Sequence, residues 1–394
     1  MEEWKEYKLE DVCESIYSGG TPSNMNKEYW NGDHPWLSSG ETGQKYIYST
    51  EKTITQKGVD NSSTRYAFKD STVVASAGQG YTRGQASYLK IDTYINQSVI
   101  VLKPNPKIID SKFLFFNIDN RYRELRQLSD GTSTRGSLSG KIMKDLLINL
   151  PPLPTQQKIA AILSSLDDKI ELNNKINENL EQQAQALFKS WFVDFEPFGG
   201  KMPDGWKEGF LSDIAEITTN VFSPDKNPDI IVEHYSLPAF DEKRYPVFEN
   251  SNELKSNKFI ISNTDVLVSK LNPNVKRVWR PYCLSNLAIS STEFIVFHPL
   301  RPELRDYLFS ITNNKQFNDF MCSNVTGSTN SHQRTPPKTT LTYAIPIPSK
   351  VELNKFCEII TPMYDIIREN IKQNEKLSTL RDTLLPKLMN GEIQ

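Results

Sequence analysis

At 394 residues, 37% of them apolar and 24% charged, the chain is too long for one compact core and too apolar for a disordered one, so it reads as a soluble protein of at least two domains. A formal net charge of −2 excludes a polycationic chain and leaves local basic patches to hold any nucleic acid. No apolar run approaches the ~20 residues of a membrane span, Met1-Glu2-Glu3-Trp4-Lys5 lacks a secretory pattern, and Cys13, Cys283, Cys322 and Cys357 are scattered, so a cytoplasmic protein with free thiols is expected.

Taken in order, the chain opens on Trp4, Lys5, Glu6, Leu9, Asp11 and Val12. The pattern returns at an offset of 202 as Trp206, Lys207, Glu208, Leu211, Asp213 and Ile214, which marks an internal repeat. β-Branched and aromatic runs bounded by turn residues predict strands at 71–75 and 97–102, and again at 265–269 and 293–297. Helical periodicity appears at 111–128 and 302–321. The predicted class is α+β with four segments: a globular domain over 1–150, a long helix over 151–198, a second globular domain over 199–349 and a second long helix over 350–394.

Both long helices carry a coiled-coil seam with spacings of four and three. In the first, positions 159, 163, 166, 170, 173, 177, 180, 184, 187 and 191 are Ile, Leu, Leu, Ile, Asn, Asn, Leu, Ala, Leu and Trp. Shifted by 197, the second reads Phe356, Ile360, Met363, Ile367, Asn370, Asn374, Leu377, Arg381, Leu384 and Leu388. Each seam thus has two asparagines at its middle. An antiparallel pair would set Asn173 against Asn374 and Asn177 against Asn370, where polar seam residues fix register at some loss of stability. Such a strut holds the two domains apart at fixed distance, which suits a long ligand such as duplex DNA.

Motifs for catalysis are missing. Gly136-Ser137-Leu138-Ser139-Gly140-Lys141 is one residue short of a phosphate-binding loop, and Gly78, Gly80 and Gly84 miss the dinucleotide fingerprint. Neither Pro151-Pro152 nor Pro336-Pro337 has the flanking residues of an amino-methylating enzyme, and His34, His234, His298 and His332 show no metal-ligand spacing. Asp229, Glu253 and Lys255 form a loose nuclease-like set that could hold Mg²⁺, present in one copy only. A self-sufficient Mg-dependent nuclease and a protein-binding coiled-coil adaptor are therefore the two rival readings.

Four polar stretches supply groups able to read base edges and hold phosphates. In the first copy they are Gln79, Tyr81, Thr82, Arg83 and Gln85, then Ser133, Thr134 and Arg135. In the second they are Lys270, Lys276, Arg277 and Arg280, then Thr329, Asn330, His332, Gln333 and Arg334. Frame residues recur between the copies while these side chains differ, so the copies are expected to read different sequences. Trp30, Trp36 and Trp279 are expected to pack rather than stack on bases.

At this level the sequence resembles the specificity (S) subunit of type I restriction-modification systems, over essentially its whole length. The resemblance is carried by Gly20-Thr21-Pro22, Tyr29-Trp30-Asn31-Gly32, Pro35-Trp36-Leu37 with Gly40-Glu41, Leu150-Pro151-Pro152-Leu153-Pro154 with Gln157-Lys158-Ile159-Ala160 and Leu166-Asp167, and Leu380-Arg381-Asp382 with Leu384-Leu385-Pro386-Lys387-Leu388. The second copy lacks the Gly-Thr-Pro and Trp-Asn-Gly elements. What the resemblance implies is two target-recognition domains, each reading one half of a bipartite site in double-stranded DNA, with the helices as ruler. It also implies a chain with no cofactor and no catalysis of its own. Two modification (methyltransferase) subunits would use S-adenosylmethionine, and restriction subunits would use ATP and Mg²⁺. Phe188, Trp191, Phe192 and Phe195 are then candidates for docking those partners; no membrane partner is implied.

Overall fold

The computed structural model describes residues 4–78, 80–130, 136–327 and 333–393. Two compact units divide the chain: residues 1–168 with 377–394, and residues 169–376. Each long helix is therefore shared between the units, because its seam residues pack into the cores of both, where segments separate from the globular domains were expected.

In the first unit, the opening strand Lys5–Lys8 pairs antiparallel with Leu147–Leu150, tying the start of the domain to its end. A five-stranded sheet follows in the order Cys13–Ser18, Val99–Pro104, Thr72–Ala75, Ala86–Leu89 and Tyr46–Ile47. Beside it stands a four-stranded sheet in the order Lys52–Ile54, Trp30–Leu37, Thr93–Ile95 and Arg65–Ala67. The central strands read as unbroken apolar runs because both of their faces are covered. Val73, Val101 and Leu89 pack on Leu37, Ala67 and Ile95, while Val74, Ile100 and Leu102 meet Phe113, Phe115 and Phe116 of helix Ser111–Asn120. Asp110 caps that helix, its Oδ1 accepting from the amides of Lys112 and Phe113 at 3.0 Å each.

The second unit repeats this plan. Lys207–Phe210 pairs with Ala344–Ile347, and a four-stranded sheet runs Ala215–Thr218, Phe294–Pro299, Val266–Ser269 and Val278–Trp279. Alternate residues again serve two cores: Val266, Val268, Ile295 and Phe297 face Leu308 and Ile311, and Leu267, Phe294 and Val296 face Tyr235 and Trp279. Its second sheet departs from the first unit's, with five strands in the order Val221–Phe222, Lys258–Ile261, Ala288–Ser290, Ile231–Tyr235 and Val247–Asn250. The fold is thus α+β with an internal repeat. Among the described residues no helix is long and apolar enough to cross a membrane.

The long helices are Leu153–Phe192 and Lys350–Met389, forty residues each. Within the second unit they pair antiparallel. Asn173 Nδ2 donates to Asn374 Oδ1 and to Gln373 Oε1, both at 2.8 Å, and Asn370 Nδ2 donates to Asn177 Oδ1 at 2.8 Å. Asn173 is fully buried, and its two bonds occupy both hydrogens of its Nδ2 where water cannot reach. Within the first unit Ile159, Ala160 and Leu163 share a core with Leu385, Leu388 and Met389, and Asp167 bonds Arg381.

Toward Phe192 the buried face drifts. Ala184, Phe188 and Phe192 are buried, whereas Leu187 and Trp191, placed in the seam by the heptad count, are only partly covered. The drift arises because this end of the helix packs against the globular core as well as the partner helix, and a straight helix keeps 3.6 rather than 3.5 residues per turn. The docking assignment is corrected accordingly. Phe192 lies 4.8 Å from Tyr307 and from Phe356 and 5.5 Å from Trp206 between ring centroids, and Phe188 contacts Tyr307 and Phe356. Phe195 packs on Trp206, and Trp191 on Phe198 and Phe356. Phe188 and Phe192 belong to the second unit's core, and Trp191 and Phe195 pack against it half-buried.

Asp167 joins the helix pair to the first domain. Its side chain is 3% exposed and meets Lys45 at 3.0 Å, Arg381 at 2.7 Å and the Tyr46 hydroxyl, which donates to it at 2.7 Å. Burial pushes this carboxyl up, but Lys45, Arg381 and Tyr46 outweigh that and hold it below its ordinary range.

Two stability predictions follow from these contacts. Asp167→Asn keeps the shape but takes the buried carboxylate from Lys45 and Arg381, which are left with Asp119 and Asp382 alone, so urea unfolding at pH 7 should show a loss of about 2–3 kcal/mol. Because the folded-state carboxyl titrates low, the wild-type contribution is present above the ordinary carboxylate range and disappears as pH falls through the depressed value; the variant's pH profile should lack that component. Phe192→Ala should cost about 3–5 kcal/mol by the same measurement, as a cavity in a ring cluster.

Candidate nucleic-acid interface

The four polar stretches singled out in the sequence fall on two equivalent connections in each unit. One joins the third and fourth strands of the central sheet, 76–85 in the first unit and 270–277 in the second. The other begins after the helix Tyr122–Asp130 in the first unit and after the helix Lys315–Ser323 in the second.

In the first unit the strand connection turns on three glycines with positive φ, Gly78 at 143°, Gly80 at 61° and Gly84 at 88°, conformations that side chains seldom adopt. The helix Tyr122–Asp130 props the loop from beneath: the Tyr122 hydroxyl donates to the Tyr81 carbonyl at 3.0 Å, and Arg126 Nη1 to that of Gly80 at 2.9 Å. Tyr81 consequently stands at the tip, 82% exposed. Thr82 and Gln85 are half-buried beside it. Arg83 corrects the expectation of a phosphate or base contact. It turns inward, 7% exposed, pairs with Asp130 and lies against Gly136, where an added Cβ would come within 2.2 Å of its Nη1. Burying a guanidinium requires a carboxylate, and Asp130 supplies it. Gln79, Ser133, Thr134 and Arg135 lie outside the described residues.

In the second unit the two connections are stitched together. Thr335 N donates to the Lys270 carbonyl at 3.0 Å and Asn272 N to the Gln333 carbonyl at 2.8 Å, and Arg334 bridges to both Leu271 and Thr326. Lys270 and Gln333 are half-buried at this junction. Arg334 presents Nε and Nη2 to the two carboxylate oxygens of Glu293 at 3.0 and 2.9 Å. That bond holds the Glu293 carboxyl below its ordinary range. Arg277 meets Asp241 in the same side-on way at 2.6 and 2.8 Å.

Two residues of this set bond within the unit. Lys276 Nζ donates to the Asn313 carbonyl at 2.9 Å, and burial lowers its pKa. Arg280 is 8% exposed and spends Nε and Nη2 on Asp306 and Nη1 on Asp365. Arg280 serves packing inside the unit, for the reason given for Arg83, whereas Lys276 stays exposed around its one bond. Thr329, Asn330 and His332 lie outside the described residues.

The carboxylates that position these arginines were missed in the sequence. Glu293 and Asp241 are far along the chain from their partners, and nothing local marks them. Trp36 and Trp279 are buried as packing residues, at 4% and 3% exposure. Asp229 and Asn252 bond each other, Asn252 Nδ2 donating to Asp229 Oδ1 at 2.5 Å and Asp229 N to Asn252 Oδ1 at 3.2 Å, while Glu253 and Lys255 are exposed. Among the described residues no group of three or more His, Cys, Asp or Glu is placed to hold a metal ion.

The family model for the type I restriction modification DNA specificity domain matches residues 1–182. Over its full length the chain is 28% identical to the type I restriction enzyme MjaIX specificity subunit of Methanocaldococcus jannaschii, covering 94% of that protein. Against the HindI specificity subunit of Haemophilus influenzae it is 24% identical, with both chains covered completely. The crystal structure of a type I restriction-modification S subunit from M. genitalium shares the fold, with a TM-score of 0.63 at 15% identity over 98% of this chain and 96% of that one. The domain match on the first copy, and the full-length similarity that takes in the second, support a specificity subunit of a type I restriction-modification system.

Proposed function

We propose that each unit reads one half of a bipartite site in duplex DNA and that the paired helices set the distance between the halves. The observation that carries this reading is the repeat itself: two units share a frame and the same pair of connections, yet display different side chains on them. Tyr81, Thr82 and Gln85 are the reading groups in the first unit, and Lys270, Arg277, Gln333 and Arg334 in the second. Base edges are distinguished by such donors and acceptors, and positions outside a conserved frame are where two readers can differ.

On this reading the chain supplies address and scaffold without catalysis, in the cytoplasm. Two modification subunits methylate with S-adenosylmethionine, and restriction subunits, in systems that have them, contribute ATP- and Mg-dependent cleavage. Partners also supply much of the phosphate clamp, since this near-neutral chain commits several of its arginines internally. Modification subunits dock on apolar residues that the helices leave exposed, Leu172 and Ile176 on the first and Ile359 and Ile366 on the second.

Exchanging residues 1–150 for the matching domain of another specificity subunit should change one half-site and leave the other intact. Methylation mapping of a genome expressing the hybrid with its modification subunits reads this directly; changes in both halves would contradict the division of labour. Adding one heptad to each helix should lengthen the gap by about 10 Å, close to three base pairs at ~3.4 Å each, with both half-site sequences unchanged.

A further inference from the structure

The second unit's connections hold an arginine whose geometry goes beyond general DNA contact. Arg334 has its backbone fixed on both sides: Thr326 N donates to its carbonyl at 2.8 Å, and its own amide donates back to Thr326 at 3.0 Å. The neighbouring Thr335 amide is tied to Lys270. Its guanidinium is fixed too, by the two side-on bonds to Glu293, whose own carbonyl accepts from the Lys270 amide at 3.0 Å. A guanidinium has five N–H donors in one plane. Glu293 takes one from Nε and one from Nη2, which leaves the end-on edge, two hydrogens on Nη1 and one on Nη2. Among the described residues that edge has no partner, and the side chain is 40% exposed.

The two comparable arginines lack this combination. Arg280 has spent Nη1 on Asp365 and is buried, and the Arg277 side chain is only 15% exposed. An end-on fork of two parallel donors matches a ligand with two adjacent acceptors and no donor. In the major groove guanine alone among the bases presents that pair, O6 and N7; adenine and cytosine each show a donor there. Holding the fork in place before binding also removes the rotamer entropy that a free arginine would lose.

We propose that Arg334 reads a guanine through Nη1 and Nη2 in the half-site bound by the second unit, and that Glu293 is its positioning residue. This rests on the DNA-reading function proposed above and names the base and the atoms. A phosphate offers the same fork two oxygens, so the test must separate base from backbone.

The full chain, assembled with its modification subunits, is used to select from a randomised duplex library and titrated against selected and mutated duplexes at several salt concentrations. The wild type should select a bipartite sequence containing a guanine whose replacement is penalised about 10- to 100-fold. Arg334→Ala should abolish the preference at that one position and spare the other half-site. Glu293→Gln should weaken the same preference, and Glu293→Asp, which keeps a carboxylate, should restore part of it. Melting temperatures within a few degrees of the wild type would show that the variants fold. Uniform weakening across all sequences, with the salt slope reduced by about one, would assign Arg334 to a phosphate and overturn the proposal. So would unchanged base preferences, or an effect in the other half-site. A wild-type complex that selects no bipartite sequence would instead overturn the function on which the proposal rests.

Discussion

Buried amides in the helix seam are the constraint on which the rest depends. An apolar seam alone would be content with several registers, since leucine and isoleucine knobs fit many holes. Asn173 and Asn177 remove that freedom, because each needs a partner at one height on the opposite helix and finds it in Asn374 or Asn370. Leaving a buried amide unbonded costs about 1–3 kcal/mol, so a register that misplaces both pairs is penalised twice. Asp167 applies the same logic with charge, since its carboxylate is neutralised only when Lys45 and Arg381 are both in place.

The second theme is how a near-neutral chain employs its arginines. Several are consumed by carboxylates inside the units, as Arg83 is by Asp130 and Arg280 by Asp306 and Asp365. They contribute order and take no part in attracting a polyanion. Arg334 and Arg277 occupy a middle position, gripped from the side by an acid but not saturated by it. The difference lies in which of the five donors are taken, and it decides whether an arginine is only a brace or keeps an edge open to a ligand.

Much of this was legible in the sequence where periodicity or repetition carried the signal. The repeat of Trp4 to Val12 at Trp206 to Ile214 marked the two units, and the spacing of the asparagines gave the antiparallel partners, because both are statements about intervals along one chain. The heptad count failed at Leu187 and Trp191, where a third body, the globular core, competes for the helix face and rotates Phe188 and Phe192 inward. Loop chemistry was legible only as composition. That Arg83 and Arg280 are buried depends on Asp130, Asp306 and Asp365, and that Arg334 is held in place depends on Glu293, whose positions no local pattern announces. Aromatic residues outside the assumed seam looked like a surface for the same reason.

The contact between Gly136 and the Arg83 guanidinium ties the two polar connections of the first unit to one another. Gly136 is in the left-handed region at φ 61°, and any side chain there would strike Arg83. The two connections therefore share a joint whose halves are not independently replaceable. A recombination or grafting event that imports one connection from a foreign lobe inherits a mismatch at that joint unless the other travels with it.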